Sequence, residues 1–132
     1  MTTGGEAKVA EAAEILWANW RGGSQFGGLP PRCRPQSREE GYAVQRQIAT
    51  QSGDGMVGWK IAATSTAGQR HIAASGPLAG RLHSRRVHFG NASFSLRGNI
   101  MRVAEAEFAF RIGRDLPRGG DSLSVKDVMD AV

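Results

Sequence analysis

The sequence predicts an α+β fold in which N-terminal helices pack on a mixed, largely antiparallel β-structure. Three observations predict it. Apolar residues recur at three-to-four spacing within the first 52 residues. From Met56 the pattern changes to short apolar runs rich in strand formers, punctuated by glycine, proline and asparagine. Residues 102–112 then alternate apolar and polar in strict period two. The expected organisation is a helical segment over 1–55 followed by the first part of a β-rich domain over 56–132. With 132 residues, the chain suits one structural unit, and folding could bury about two-thirds of the unfolded surface.

Residues 6–20, EAKVAEAAEILWANW, read as an amphipathic helix with Val9, Ala12, Ala13, Leu16 and Trp20 on one stripe. Gly22-Gly23 ends it. Three prolines, two glycines and two arginines over 24–36 mark a linker or loop without regular structure. Ser37, followed by Glu39 and Glu40, reads as an N-cap with acids in the first turn of a helix running to about Ser52. Gly53-Asp54-Gly55 stops that helix. MVGWKIAAT, from Met56, reads as a strand, and Ser65 or Thr66 caps a short helix through Gln69 and Ile72. Gly76-Pro77-Leu78-Ala79-Gly80 reads as a turn, and 78–96 as short strands and hairpins, VHFG and ASFSL among them.

Propensity alone makes RVAEAEFAFRI (102–112) a helix. The alternation makes it a strand, with Phe108 and Phe110 buried on one face and Glu105 and Glu107 on the other. Ser122 or Ser124 caps a final helix that reaches the last residue with no glycine stop, as though cut after its second turn.

Composition narrows the class. The chain is 40% hydrophobic and 22% charged, as a globular protein is. No apolar run approaches a membrane span, and charges interrupt the N-terminal stretch where a signal peptide needs its apolar core. One cysteine, Cys33, excludes an internal disulfide framework and reads as a spectator thiol in an arginine-flanked loop. A cytoplasmic protein is expected. The net charge is +5, concentrated at Arg81, Arg85, Arg86, Arg97, Arg102, Arg111, Arg114 and Arg118. No helix-turn-helix, zinc-finger or RNA-binding pattern accompanies it, so neither nucleic acid nor membrane is expected as a partner.

Glu105 and Glu107 lead the residues that could carry chemistry. On one strand face their Cα atoms lie about 6.7 Å apart, so both carboxylates can converge on one magnesium or manganese ion, which prefers such oxygen ligands. The alternative is two solvated glutamates offset by Arg102 or Arg111. Lys60 sits between Trp59 and Ile61 in an apolar strand. It is either a solvated strand lysine or, in a cleft, a positive charge for an anionic substrate or a developing enolate. His71, His83 and His88 show no metal-ligand spacing.

Taken in order, Leu29-Pro30-Pro31, Tyr42-Ala43-Val44-Gln45, GWKIAATSTAGQRHIAASGPLAGRL (58–82) and VAEAEFAFRIGRDLP (103–117) resemble the first half of the 2-keto-4-pentenoate hydratases and 4-oxalocrotonate decarboxylases. These belong to the fumarylacetoacetate hydrolase superfamily. The resemblance implies a β-roll of that type, ending here before its site is complete. It implies that Glu105 and Glu107 are two of three acidic ligands to magnesium or manganese, the third lying beyond Val132. Lys60 would bind substrate and take part in catalysis. The activity implied is that of a lyase on an unsaturated 2-oxo acid in the breakdown of aromatic compounds: a hydratase, with decarboxylation or C–C bond hydrolysis as alternatives. A homo-oligomer is implied for the full-length protein. Some hydratases of this family carry an aspartate just after the proline of the turn; this sequence has Leu78 there, which leaves the exact reaction open. A reading of another class is a non-catalytic fragment or binding module.

Overall fold

The computed structural model describes residues 4–117 and 122–132; Arg118, in the basic excess, lies outside them. The element order is α1 (Gly4–Gly22), a 3-10 turn (Pro31–Cys33), α2 (Arg38–Ser52), β1 (Met56–Ala62), α3 (Thr66–His71), β2 (Leu78–His83), a second 3-10 turn (Ser84–Arg86) and α4 (Val125–Met129). The fold is α+β. The chain divides into two compact units, Met1–Ile100 and Met101–Val132. No described helix is long and apolar enough to cross a membrane.

Alanine makes the core of the first unit possible. Ala12 and Ala13 on α1 are fully buried against Cys33 and Val44, with Val9, Ile15, Leu16, Leu29 and Ile48 packed around them. Side chains this small let the faces of α1 and α2 come close, and Cys33 fills the space between as a small apolar group. Four of the five residues of the expected stripe serve this packing; Trp20 stays half-exposed, edge-on to Trp17 and His83. A Lys8–Glu40 ion pair at 2.6 Å and an Arg32–Glu11 pair close the margins. The loop over 24–36 is less irregular than expected. Pro31 opens a 3-10 turn, where its missing N–H is no loss, and the turn delivers Cys33 to the core.

Helix ends obey local chemistry. The Ser37 hydroxyl accepts the Glu40 N–H at 3.2 Å, Ser65 accepts Gly68 at 3.1 Å, and Ser124 forms a capping box with Asp127. Gly23 and Gly53, at φ +61° and +66°, take the left-handed conformation that follows α1 and α2.

β1 and β2 form one two-stranded antiparallel sheet, with Trp59 opposite Arg81, Lys60 opposite Gly80 and Ile61 opposite Ala79. α2 fixes the start of β2. The Ala79 N–H donates to the Tyr42 hydroxyl, Gln45 donates to the Ala79 carbonyl, and Arg38 donates to the Pro77 carbonyl. Leu78, Ala79 and Gly80 therefore belong to a strand, and the expected turn shrinks to Gly76-Pro77.

Two further expectations fail. Residues 87–96 form neither strands nor a hairpin, consistent with Gly90-Asn91 being the reverse of the favoured Asn-Gly turn. Residues 102–112 are neither helix nor strand, and Phe108 and Phe110 are 97% and 66% exposed rather than buried. The segment is non-helical, against its propensity. A strand, however, also needs a neighbour for its ladder and a cover for its apolar face, and among the described residues none is assigned there. In the second unit, order comes from α4: the Gly113 N–H donates to the Ala131 carbonyl, and Ala131 is buried.

Candidate functional site

Lys60 sits mid-strand in β1, where successive side chains take opposite faces of the sheet. Gly58, Lys60 and Ala62 share one face, with Leu82, Gly80 and Leu78 as their partners on β2. Lys60 is half-buried, while its neighbours Trp59 and Ile61 are 46% and 48% exposed. The lysine is thus more covered than the apolar residues that flank it. Gly80, directly opposite, contributes no side chain, which leaves room beside the lysine stem. On the other face the Arg81 guanidinium lies 4.8 Å from the centre of the Trp59 ring.

Glu105 and Glu107 belong to the second unit. Both are exposed on non-helical backbone two residues apart, downstream of Arg102, whose φ is +50°. The spacing keeps both carboxylates on one short segment, and their oxygens suit a hard divalent cation. No group of three or more histidine, cysteine, aspartate or glutamate side chains able to hold a metal is present among the described residues. Leu78 is the first residue of β2 and half-buried.

Cys33 is wholly buried, its Sγ 3.5 Å from the Pro30 carbonyl oxygen, so it acts as packing and not as an accessible nucleophile. His83 is also buried, against Trp20, and its Nδ1 has no hydrogen-bond partner among the described residues. Sequence reasoning missed a cavity of about 620 Å³ in the first unit, lined by Trp17, Arg21, Ser52, Asp54, Arg85, Arg86, His88 and Phe94. Its charge was visible as the Arg85-Arg86 pair. Its existence was not, because the lining comes from α1, the end of α2 and the segment after β2.

Over 127 residues the chain is 32% identical to the "TodF product hydratase" of Pseudomonas putida. The match takes in 94% of this chain and 47% of the relative, so the chain spans about half the length of the curated protein it matches. No family model matches, and no solved structure matches. The resemblance read from the sequence is thereby upheld: the chain matches the N-terminal part of a hydratase of that kind.

Proposed function

From the premise that this chain corresponds to the N-terminal part of a hydratase, we propose that it supplies half of the active site of a metal-dependent lyase acting on unsaturated 2-oxo acids. The reaction is hydration of the 2-hydroxypenta-2,4-dienoate type in aromatic-compound degradation. The observation that carries this reading is the 32% identity running through 94% of the chain. The half-buried placement of Lys60 between more exposed neighbours agrees with it.

Each residue then has a task. Glu105 and Glu107 would hold magnesium or manganese; two carboxylates neutralise the ion's charge and leave further coordination positions to be filled. When bound, the ion supplies Lewis acidity toward the 2-oxygen of the substrate. The Lys60 ammonium attracts the substrate carboxylate and favours negative charge on the oxygens beside it. Partial burial strengthens that effect, because water screens a half-covered charge less. Leu78 offers no proton, so proton transfer falls to groups other than a side chain at that position.

The test uses a protein in which these residues are followed by the rest of a hydratase, with loss of dienoate absorbance as the readout. Lys60→Met is expected to lower turnover strongly with manganese affinity nearly unchanged, whereas Glu105→Gln with Glu107→Gln is expected to weaken manganese binding itself. The 132-residue chain alone is expected to bind manganese weakly and turn nothing over. Unchanged kinetics in Lys60→Met, or unchanged manganese affinity in the double variant, overturns the assignment. Product analysis separates hydration from release of carbon dioxide.

A further inference from the structure

The cavity of the first unit carries more positive charge than its own acids neutralise. Arg21 comes from the last turn of α1, and Arg85 and Arg86 come from the 3-10 turn after β2. Asp54 is the only acid in the lining among the described residues. It pairs with Arg85 at 2.9 Å (Oδ1 to Nε). Arg21 and Arg86 have no carboxylate partner among the described residues. They lie instead over Trp17 and Trp20, at 5.6 and 5.2 Å from the ring centres. Those aromatic contacts steady the cations without cancelling their charge.

The Asp54 side chain is 9% exposed and its Oδ1 is taken up by the ion pair with Arg85, so this carboxylate is spent on one arginine and leaves Arg21 and Arg86 to the cavity. Trp17 and Phe94 add flat apolar surface, Phe94 standing edge-on to His88 at 5.1 Å. The cavity's volume of about 620 Å³ is in the usual range for sites that take small organic molecules.

We propose that this cavity binds a small organic dianion, an aromatic or otherwise flat dicarboxylate. Its two carboxylates engage Arg21 and Arg86, and its plane lies against the aromatic lining that includes Phe94. Three guanidiniums against one carboxylate leave two positive charges to be met, which selects a dianion over a monoanion. None of Lys60, Glu105 and Glu107 lines the cavity, so the proposal stands or falls independently of the lyase reading.

Titration calorimetry on the 132-residue chain tests it with phthalate as the probe, and benzoate and inorganic phosphate as comparators. Saturable binding of phthalate is expected. Benzoate is expected to bind about tenfold more weakly than phthalate, the loss of one charge-assisted contact. Arg21→Gln and Arg86→Gln are each expected to weaken the probe about tenfold, with circular dichroism confirming that the helices persist. Should one variant unfold, the other and the ligand series on the parent chain still decide. No saturable heat at millimolar probe, equal affinity for benzoate, phosphate as tight as the probe, or unchanged affinity in a folded variant overturns the proposal.

Discussion

The helical pair α1–α2 and the segment 102–112 both carry a clear apolar period, and they end differently. On α1 the period brings Ala12 and Ala13 to a face that α2 and Cys33 cover completely. In 102–112 the period brings Phe108 and Phe110 to a face that stays open at 97% and 66% exposure. Periodicity states which face is to be buried; it does not supply the surface that buries it. For α1 that surface lies about thirty residues along the same chain, whereas for 102–112 no strand stands beside it among the described residues.

The strongest way to break this contrast is to put a charge where the first region is tightest. Ala13→Asp buries a carboxylate with no room for water and no basic partner in the cluster. It is expected to destabilise the first unit by about 3 kcal/mol or more, read as a lowered urea midpoint and loss of helical circular dichroism. A midpoint within experimental scatter of the parent chain's would mean that the α1–α2 contact is not the core.

A smaller effect is expected at a helix end, where stabilisation is local and needs no distant cover. Ser37→Ala removes the hydroxyl that accepts the Glu40 N–H and is expected to cost about 1 kcal/mol, again by urea midpoint. The three caps at Ser37, Ser65 and Ser124 were legible in the sequence for that reason: donor and acceptor lie three residues apart. Lys60 was legible as a strand residue, but its partial burial could not be read from its neighbours in sequence. Burial of Cys33 was hidden in a proline-rich loop because the covering atoms belong to two helices. The cavity was hidden for the same reason, its lining drawn from three separated stretches. Short-range chemistry is written in the sequence locally, and enclosure is not.

The margin of the helical pair should respond to pH. The carboxyl of Glu40 is held below its ordinary value of 4.5, first by the Lys8 ammonium and then by the Gln36 backbone N–H, both bonded to its charged form. A carboxylate lowered on folding contributes its stability in full above the unfolded value and loses it as pH falls through the lowered one. The thermal midpoint should therefore decline as the pH is taken down through and below the ordinary value of 4.5. Glu39 and Asp127, likewise lowered by bonds at their helix starts, add to the decline. In Lys8→Met the decline should be shallower, because the largest cause of the Glu40 shift is gone. Parallel pH profiles for the two proteins would show that the pair at 2.6 Å contributes nothing to stability.

The smallest expected effect lies in the open region. Phe108→Ala in the 132-residue chain removes a ring that is 97% exposed, so little apolar area returns to water. The change in stability is expected to stay within about 0.5 kcal/mol, as for surface substitutions generally. The same substitution in a well-covered face costs about 3–5 kcal/mol. That gap makes Phe108 a gauge of cover. Urea midpoints for the pair of proteins, measured first in this chain and then in one continued by the rest of a hydratase, compare the two conditions directly. A loss of about 3–5 kcal/mol in the longer protein beside none in the shorter one would show that the alternation of 102–112 is a buried face whose cover lies in the added residues. A negligible loss in both would detach the alternation from burial altogether and leave the phenylalanines as surface residues. A large loss in this chain alone would contradict the exposure of the ring, and with it the contrast between the two regions.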